Sequence, residues 1–457
     1  MNPHTHLAAD GFPADEVRAR ARHGTAEVFP PAEGYGTRLY GADGTDAAGL
    51  AGDADELDRA RLVPPVFMPL RLEKLIELGR EPQYEDVELA TAIGGFSSPL
   101  PLYLSAFGST SAGSGDLSLA ASRQAAQLGI PMVIGENMIP VHGYRDATEA
   151  ASRSALPARI ALYAEHLPAG VGGVVVQQST EDADSEVWNL IYSDPASQAL
   201  LESGRLAFEL KIGQGAKPGL GGMTVVGTQE AASLADRFTV RPVLGEDGAR
   251  RLRCATPGTF TEEIVRQQLR FMRNNFPLAR VWLKLHPGRD VARAARTAWE
   301  AGADTVTVDG AEGGTGWAPR VFLGGVGLPL AECLHRIDAA GRCLLATGRM
   351  WEGGRAVRAL ALGARAVGLG RAALLAVDED RERGLVRLAD ALALEMRLLV
   401  SALGKYRVGD LGPEDLWWPE PTGRAAPAAS HPPAPAPTPP AGAAPPAATR
   451  HFLWERS

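Results

Sequence analysis

Residues 211–223 read KIGQGAKPGLGGM: five glycines, two lysines, a glutamine and a proline, directly after the short apolar run at 206–210. A packing element has no need of that mixture. Glycines let backbone amides approach a ligand closely, and lysines on such a loop supply positive charge. On composition alone, a surface turn fits as well as a binding loop. Glycine-rich strand ends further along shift the balance toward a site. Ala346-Thr347-Gly348-Arg349-Met350 and Gly368-Leu369-Gly370-Arg371 each set glycine amides beside a cation, where a helix is expected to begin. Amides at a helix N-terminus favour an anion such as phosphate. A tight turn would also use glycine, so it is the pair that is informative. Residues 309–316, DGAEGGTG, add four more glycines. Asp309 and Glu312 there are either chemical groups or turn formers. Lys284 sits inside the apolar run VWLKL. A lysine in a barrel strand is costly unless its ammonium meets an anion or acceptor, or unless it snorkels outwards. The inward reading is preferred, because an electron-rich ring beside Lys284 would account for it.

The elements that must carry these groups alternate. Strands are expected at 102–105, 132–134, 173–177, 206–210, 281–285, 304–309, 343–347 and 366–369. Helices are expected at 116–128, 148–166, 195–202, 224–236, 260–274, 290–301, 327–339, 354–362 and 383–401. Thr259 and Glu262 stand at capping-box spacing, and 241–258 breaks the rhythm. Eight short apolar strands alternating with helices indicate a parallel sheet buried on both faces, and eight is the number that closes a barrel. The rival, an open doubly wound sheet, lacks its GxGxxG fingerprint. The fold class is therefore α/β, a (β/α)8 TIM barrel at 90–410, with an N-terminal extension at 1–89 and a tail at 411–457. The Pro/Ala-rich part of that tail, 424–449, reads as extended and disordered. Helical spacing between 66 and 80 predicts an amphipathic helix in the second half of that stretch.

With 457 residues, 45% of them hydrophobic, the chain can bury a large core. A net charge of −8 without a lysine/arginine block argues against nucleic-acid binding. Cys254, Cys333 and Cys343 are isolated, too few and too far apart for a zinc or cysteine-ligated iron–sulfur site; no metal is expected. Their spacing suits a reducing cytoplasm. No signal peptide and no run of about 18 apolar residues is visible, so no membrane partner is expected.

KIGQGAKPGLGGM, DGAEGGTG and GLGRAALL, together with YLSAFGSTSAGSGDLSLAASRQAAQLGIPMVIGEN at the opening strands, resemble the FMN-binding synthase domain of glutamate synthases over roughly residues 90–375. The resemblance implies an FMN barrel. It puts Ser105, Ala106 and Phe107 under the flavin ring, and Gln177 and Lys284 at its polar edge. It puts Gly348, Gly370 and Arg371 at the phosphate, joined by Arg349 and by Gly313 and Gly314 of the DGAEGGTG loop. Lys211, Gln214 and Lys217 would face the substrate, with Glu136 and Asp309 near its amine. A cation beside the N1–O2 edge favours reduced flavin.

The departures matter as well. Residue 2 is Asn2 where the family's glutaminase begins with a processed cysteine, and no glutaminase-sized region precedes residue 90. The stretch AVDEDRERGLVRLADALALEMRLLV holds none of the family's cluster cysteines. The expected activity is thus FMN-dependent oxidation at a carbon–nitrogen bond of an amino acid or related amine or imine. The alternatives are an amine-transferring synthase like glutamate N-methyltransferase relatives, and a non-catalytic flavin-binding scaffold. Expected partners are a small amino acid or amine, a separate electron or ammonia donor protein, and further copies of the chain.

Overall fold

The computed structural model describes residues 7, 9–34, 36, 55–106, 115–135, 156–179, 186–235, 238–242, 250–314 and 317–419. Eight parallel strands close on themselves in chain order: Leu102–Leu104, Met132–Ile134, Val174–Gln178, Leu206–Lys211, Arg280–Leu285, Thr305–Asp309, Cys343–Thr347 and Ala366–Leu369. Every expected strand is there, each within a residue or two of its expected bounds. The period-2 alternation sorts each strand into two faces. Leu102, Ile134, Val176, Phe208, Leu283, Val308, Leu344 and Val367 point out to the helices and join one large core. Tyr103, Val133, Val175, Ala207, Trp282, Leu345 and Ala366 point in and form a second, smaller one.

The inner cluster is closed from below by a hairpin. Thr91–Ile93 pairs with Phe96–Ser98 through a Gly94-Gly95 turn, both glycines at positive φ. Ile93 and Phe96 are buried, the Phe96 ring lies 5.6 Å from that of Trp282, and Trp282 Nε1 donates to the Gly94 carbonyl at 3.3 Å. The backbone amide of Gly94 points at Cys343 Sγ, 3.3 Å away. The residues involved start strands five and seven, so the plug sits at the strands' N-terminal ends.

Helices fall close to expectation at Gly115–Gln127, Glu262–Asn275, Val291–Glu300, Gly353–Ala361 and Gly384–Ala402. The fifth-strand approach is capped differently from the reading above: Thr261, not Thr259, accepts the Ile264 amide at 3.2 Å. The stretch expected as a helix from 224 begins instead as a strand. Met223–Gly227 pairs antiparallel with Arg250–Cys254, which also pairs with Thr239–Arg241, and only Thr228–Leu234 is helical. Thr224, Val225 and Val226 are β-branched and suit a strand once Arg250–Cys254 supplies a partner, and Gly227 ends the run. Arg371–Glu379 is the helix expected to begin after the eighth strand, and Val187–Ser193 is a further helix beyond those expected.

The N-terminal extension packs on the barrel. Helix Ala14–His23 buries Val17 and Ala21 against Arg371–Glu379 and Gly384–Ala402. Arg18 bridges Asp378 and Glu379, and Arg20 pairs with Glu395. Such partly exposed pairs contribute at most about 1 kcal/mol each, so the apolar contacts carry the docking. Pro69–Leu78 is the helix expected in 66–80. Arg61–Leu62 pairs antiparallel with Leu416–Trp417. The Pro/Ala tail lies outside the described residues. Among the described residues no helix is long and apolar enough to cross a membrane, and no group of three or more metal-ligating side chains is present.

Candidate active site

The inward face changes character towards the strands' C-terminal ends. Where Ala207, Val175 and Trp282 fill the middle of the barrel, the next inward residues are Gln177, Glu209, Lys284, Thr307 and Thr347, all buried. Alternation alone brings them together, since each stands two residues along its strand from an apolar partner or its equivalent.

Lys284 points inward. Its ammonium meets Asp309 at 3.2 Å, and both side chains are only 8% exposed. Asp309 is held from two further sides: Thr347 Oγ donates to one carboxylate oxygen at 2.7 Å, and the Gly215 amide to the other at 3.1 Å. The second bond ties the KIGQGAK loop to the end of strand six. It requires glycine at 215, because a Cβ there would lie 2.2 Å from the Gly310 carbonyl oxygen. Below this pair sits a carboxyl group that the sequence reading passed over. Glu209, 1% exposed, accepts from Gln177 Nε2 and from Thr307 Oγ at 3.1 Å. Burial raises its pKa above the ordinary carboxylate value, against the opposing pull of Lys284 and Gln177. Its signal was legible: LAFELK places a charge inside an apolar strand, two residues before Lys211 and therefore on the same face. Tyr103 Oη, buried nearby, has its pKa raised well above the usual phenol by burial and by the charges of Glu209 and Asp309.

The other expected residues divide. Lys211 Nζ donates to Gln214 Oε1 at 2.9 Å, so these two act as one unit on the loop. Lys217 is 2% exposed, with its ammonium on the Trp317 carbonyl at 2.8 Å, which ties this loop to the one following strand six. Ser105 is buried at the end of the first strand, its amide on the Leu369 carbonyl at 3.0 Å, and Ala106 packs against the inner cluster. Phe107 and Glu136 lie outside the described residues. His286, two residues past Lys284, was not singled out in the sequence. A Cβ on Gly213 would meet its ring at 2.5 Å, and burial lowers its pKa, which favours the neutral imidazole.

At the end of strand eight, Arg371 opens the helix Arg371–Glu379. Its Nη1 donates to the Leu7 carbonyl at 2.6 Å, and among the described residues no carboxylate pairs with it. Burial alone pulls its pKa below the ordinary value. Gly314 faces it: a Cβ there would lie 3.6 Å from Arg371 Nη2. Gly348 adopts φ 129°, a shape that glycine tolerates and other residues resist. Arg349, expected at the phosphate, is engaged elsewhere. Its guanidinium pairs with Asp58 and donates to the Gly11 carbonyl at 3.0 Å, so its charge is already matched by the extension. Glu312 clamps the loop: it accepts from the Leu330 amide at 3.0 Å and from Arg355 at 3.3 Å.

Residues 196–383 match the family model described as a conserved region in glutamate synthase. The chain is 33% identical over 189 residues to a protein named archaeal-type glutamate synthase (NADPH) of Dehalococcoides mccartyi, covering 39% of this chain and 36% of that one. It is 31% identical over 186 residues to a glutamate synthase large subunit-like protein of Rhizobium meliloti, covering 38% and 40%. The chain thus spans little more than a third of the length of these relatives. A soluble mutant of the membrane-associated (S)-mandelate dehydrogenase of Pseudomonas putida superposes with a TM-score of 0.51 at 18% identity, over 89% of this chain and 99% of that one. An active chimera of (S)-mandelate dehydrogenase gives the same score at 17%. At that identity the likeness speaks for the barrel alone. Over residues 196–383, which lie on the barrel, the chain is similar to the conserved region of glutamate synthase.

Proposed function

We propose that the barrel binds FMN at the C-terminal ends of its strands and acts as an FMN-dependent oxidoreductase on the carbon–nitrogen bond of an amino acid or a related amine or imine. The observation that carries this reading is the division of charge across the mouth. Lys284 is fixed inside the barrel by Asp309, whereas Arg371 is partly buried and meets a backbone carbonyl but no carboxylate among the described residues. A partly buried guanidinium of that kind suits a phosphate. Gly314 beside it leaves room for one, and a Cβ at Gly370 would have nothing within 4 Å among the described residues. Glycine amides and an arginine after the last strands form the usual phosphate corner of such barrels. The relatives named glutamate synthase support the amino acid class of substrate.

Bound FMN would supply the two-electron acceptor, and the chain supplies the charges and donors around it. Ser105 and Ala106, with Phe107, would underlie the ring. Lys284 would face its N1–O2 edge as a cation that cannot swing away, because Asp309 holds it. Gln177 has its amide nitrogen on Glu209, which leaves its carbonyl oxygen to accept from a ring N–H. Gly313, Gly314, Gly348, Gly370 and Arg371 would take the phosphate. The Lys211–Gln214 unit and Lys217 would hold a substrate carboxylate, and Asp309 and Glu136 its amine. A separate protein that delivers electrons or ammonia completes the reading.

The test is the absorption spectrum of the purified full chain before and after addition of FMN, followed by anaerobic titration with a panel of amino acids and amines. We expect a bound flavin and its bleaching by at least one substrate. Protein that stays colourless after FMN is added would overturn the reading.

A further inference from the structure

We propose that the N-terminal extension is part of the phosphate corner. On this reading Asp58 is a positioning residue that holds the turn after strand seven in its ligand-binding shape, so that docking of the extension and binding of the phosphate reinforce each other. The inference rests on the FMN reading above and adds a component to that site which lies outside the matched region.

Three observations lead there. First, the extension contacts two of the loops that would surround the phosphate, and the helix that follows one of them. The Leu7 carbonyl accepts from Arg371 after strand eight, and the Gly11 carbonyl from Arg349 after strand seven. Asp55 and Asp58 both accept from Arg355 Nη1 at 2.7 Å. Second, Arg355 passes the contact inward. It is fully buried, and its Nη2 donates to the Gly348 carbonyl at 3.2 Å and to Glu312, in the loop after strand six, at 3.3 Å. One guanidinium therefore joins the extension, the strand-seven turn and the strand-six loop. Third, the turn it grips is strained. Arg349 has φ 53° directly after Gly348 at φ 129°. A non-glycine residue holds such a conformation only where its surroundings over-determine it. Here Asp58 and Gly11 do so from outside, and Arg355 from beneath.

Docking of the extension needs none of this chemistry. Helix Ala14–His23 already buries Val17 and Ala21 on the last two helices. A buried ion cluster contributes little net stability and gains its value from fixing geometry. Asp58 has its side chain only 1% exposed, and it fixes the backbone whose amides would face the phosphate. By linkage, whatever factor the docked extension adds to FMN affinity, FMN adds to docking.

The experiment uses the full chain and its Asp58→Asn variant, which keeps the volume and removes the charge. Affinities for FMN and for riboflavin are measured by flavin fluorescence. Hydrogen exchange of residues 9–34 and 55–60 is measured with and without FMN. We expect Asp58→Asn to weaken FMN at least tenfold and riboflavin less than threefold, because only FMN carries the phosphate. We expect FMN to slow exchange in the extension of the unmutated protein. A purely structural role for Asp58 would lower both affinities together or neither. The proposal fails if the two ligands weaken in parallel, or if FMN binds the unmutated protein and leaves exchange in the extension unchanged. In both cases the FMN reading survives. An unmutated protein that binds no flavin ends both. The exchange measurement needs no variant, so a poorly folding Asp58→Asn leaves the proposal open to refutation.

Discussion

Gly314→Ala separates the phosphate corner from the fold that surrounds it. Gly314 does not adopt a positive φ, and its added methyl would lie 3.6 Å from Arg371 Nη2, an ordinary contact. Without ligand the substitution therefore costs little, within about 0.5 kcal/mol as for other substitutions that create neither clash nor cavity. With FMN bound, the same methyl lies between the loop and the guanidinium that the phosphate would meet. Loss of one charge-assisted hydrogen bond costs about 1.5–3 kcal/mol, which is roughly a 10- to 100-fold weaker FMN complex. Riboflavin, which has no phosphate, should bind within about twofold of its original affinity, since each 1.4 kcal/mol is a factor of ten and none of this energy is at stake. The assay is a pair of fluorescence titrations, with the thermal midpoint of the apoprotein as control. If FMN and riboflavin weaken together, or if neither does, Gly314 and Arg371 do not flank a phosphate. A fall in the apoprotein midpoint by more than a few degrees would show that the glycine serves the fold.

Lys284→Met should leave Asp309 and Glu209 as buried acids without their cation. Breaking a buried pair by removing one partner costs about 3–5 kcal/mol, and chemical denaturation should show a loss of that order; unchanged stability would mean that Lys284 and Asp309 are not paired in solution. Gly215→Ala would set a Cβ 2.2 Å from the Gly310 carbonyl oxygen and push the Lys211 loop off Asp309 by about an ångström. Misplacement on that scale costs on the order of 100-fold in turnover, so steady-state rates should fall by about that much while FMN affinity changes little. Burial pushes the Glu312 carboxyl from 4.5 up to about 7, opposed by Arg355 and aided by Asp55. A carboxyl whose folded pKa is raised contributes stability that is full below pH 4.5 and is lost as the pH rises through about 7. Glu312→Gln should flatten the fall in denaturation midpoint across that window; a fall of unchanged steepness would assign it to another group.

The sequence made the barrel legible because buried parallel strands leave an unbroken apolar trace, and the helices between them give the spacing. Lys284 could be aimed inward from the same trace, and the structure finds it on Asp309. What escaped was whatever depended on contacts across long sequence separations. Arg349 looks like a phosphate ligand from its neighbours Gly348 and Met350, yet Asp58, 291 residues away, claims it. Arg355 lies in the first turn of a helix that reads as ordinary packing, and only the folded chain shows that helix delivering a guanidinium to Asp55, Asp58 and Glu312. The sequence places a helix from Thr224, with Thr224 or Thr228 as its cap, where the structure has the strand Met223–Gly227. The β-branched run there answers to a pairing partner, Arg250–Cys254, that no local window contains. Glu209 differs: its place in LAFELK, a charge on the same face as Lys211, is legible from sequence alone.

The Gly94–Gly95 hairpin gives the molecule a floor. With Ile93, Phe96 and Trp282 stoppered beneath the polar layer, the described residues close the route to Lys284 from the strands' N-terminal ends, and the approach lies on the other side. An electron donor and a nitrogen-bearing metabolite would then queue at the same entrance. If both must reach the same face of the flavin, a ping-pong order follows, and parallel double-reciprocal lines in initial-rate kinetics would show it.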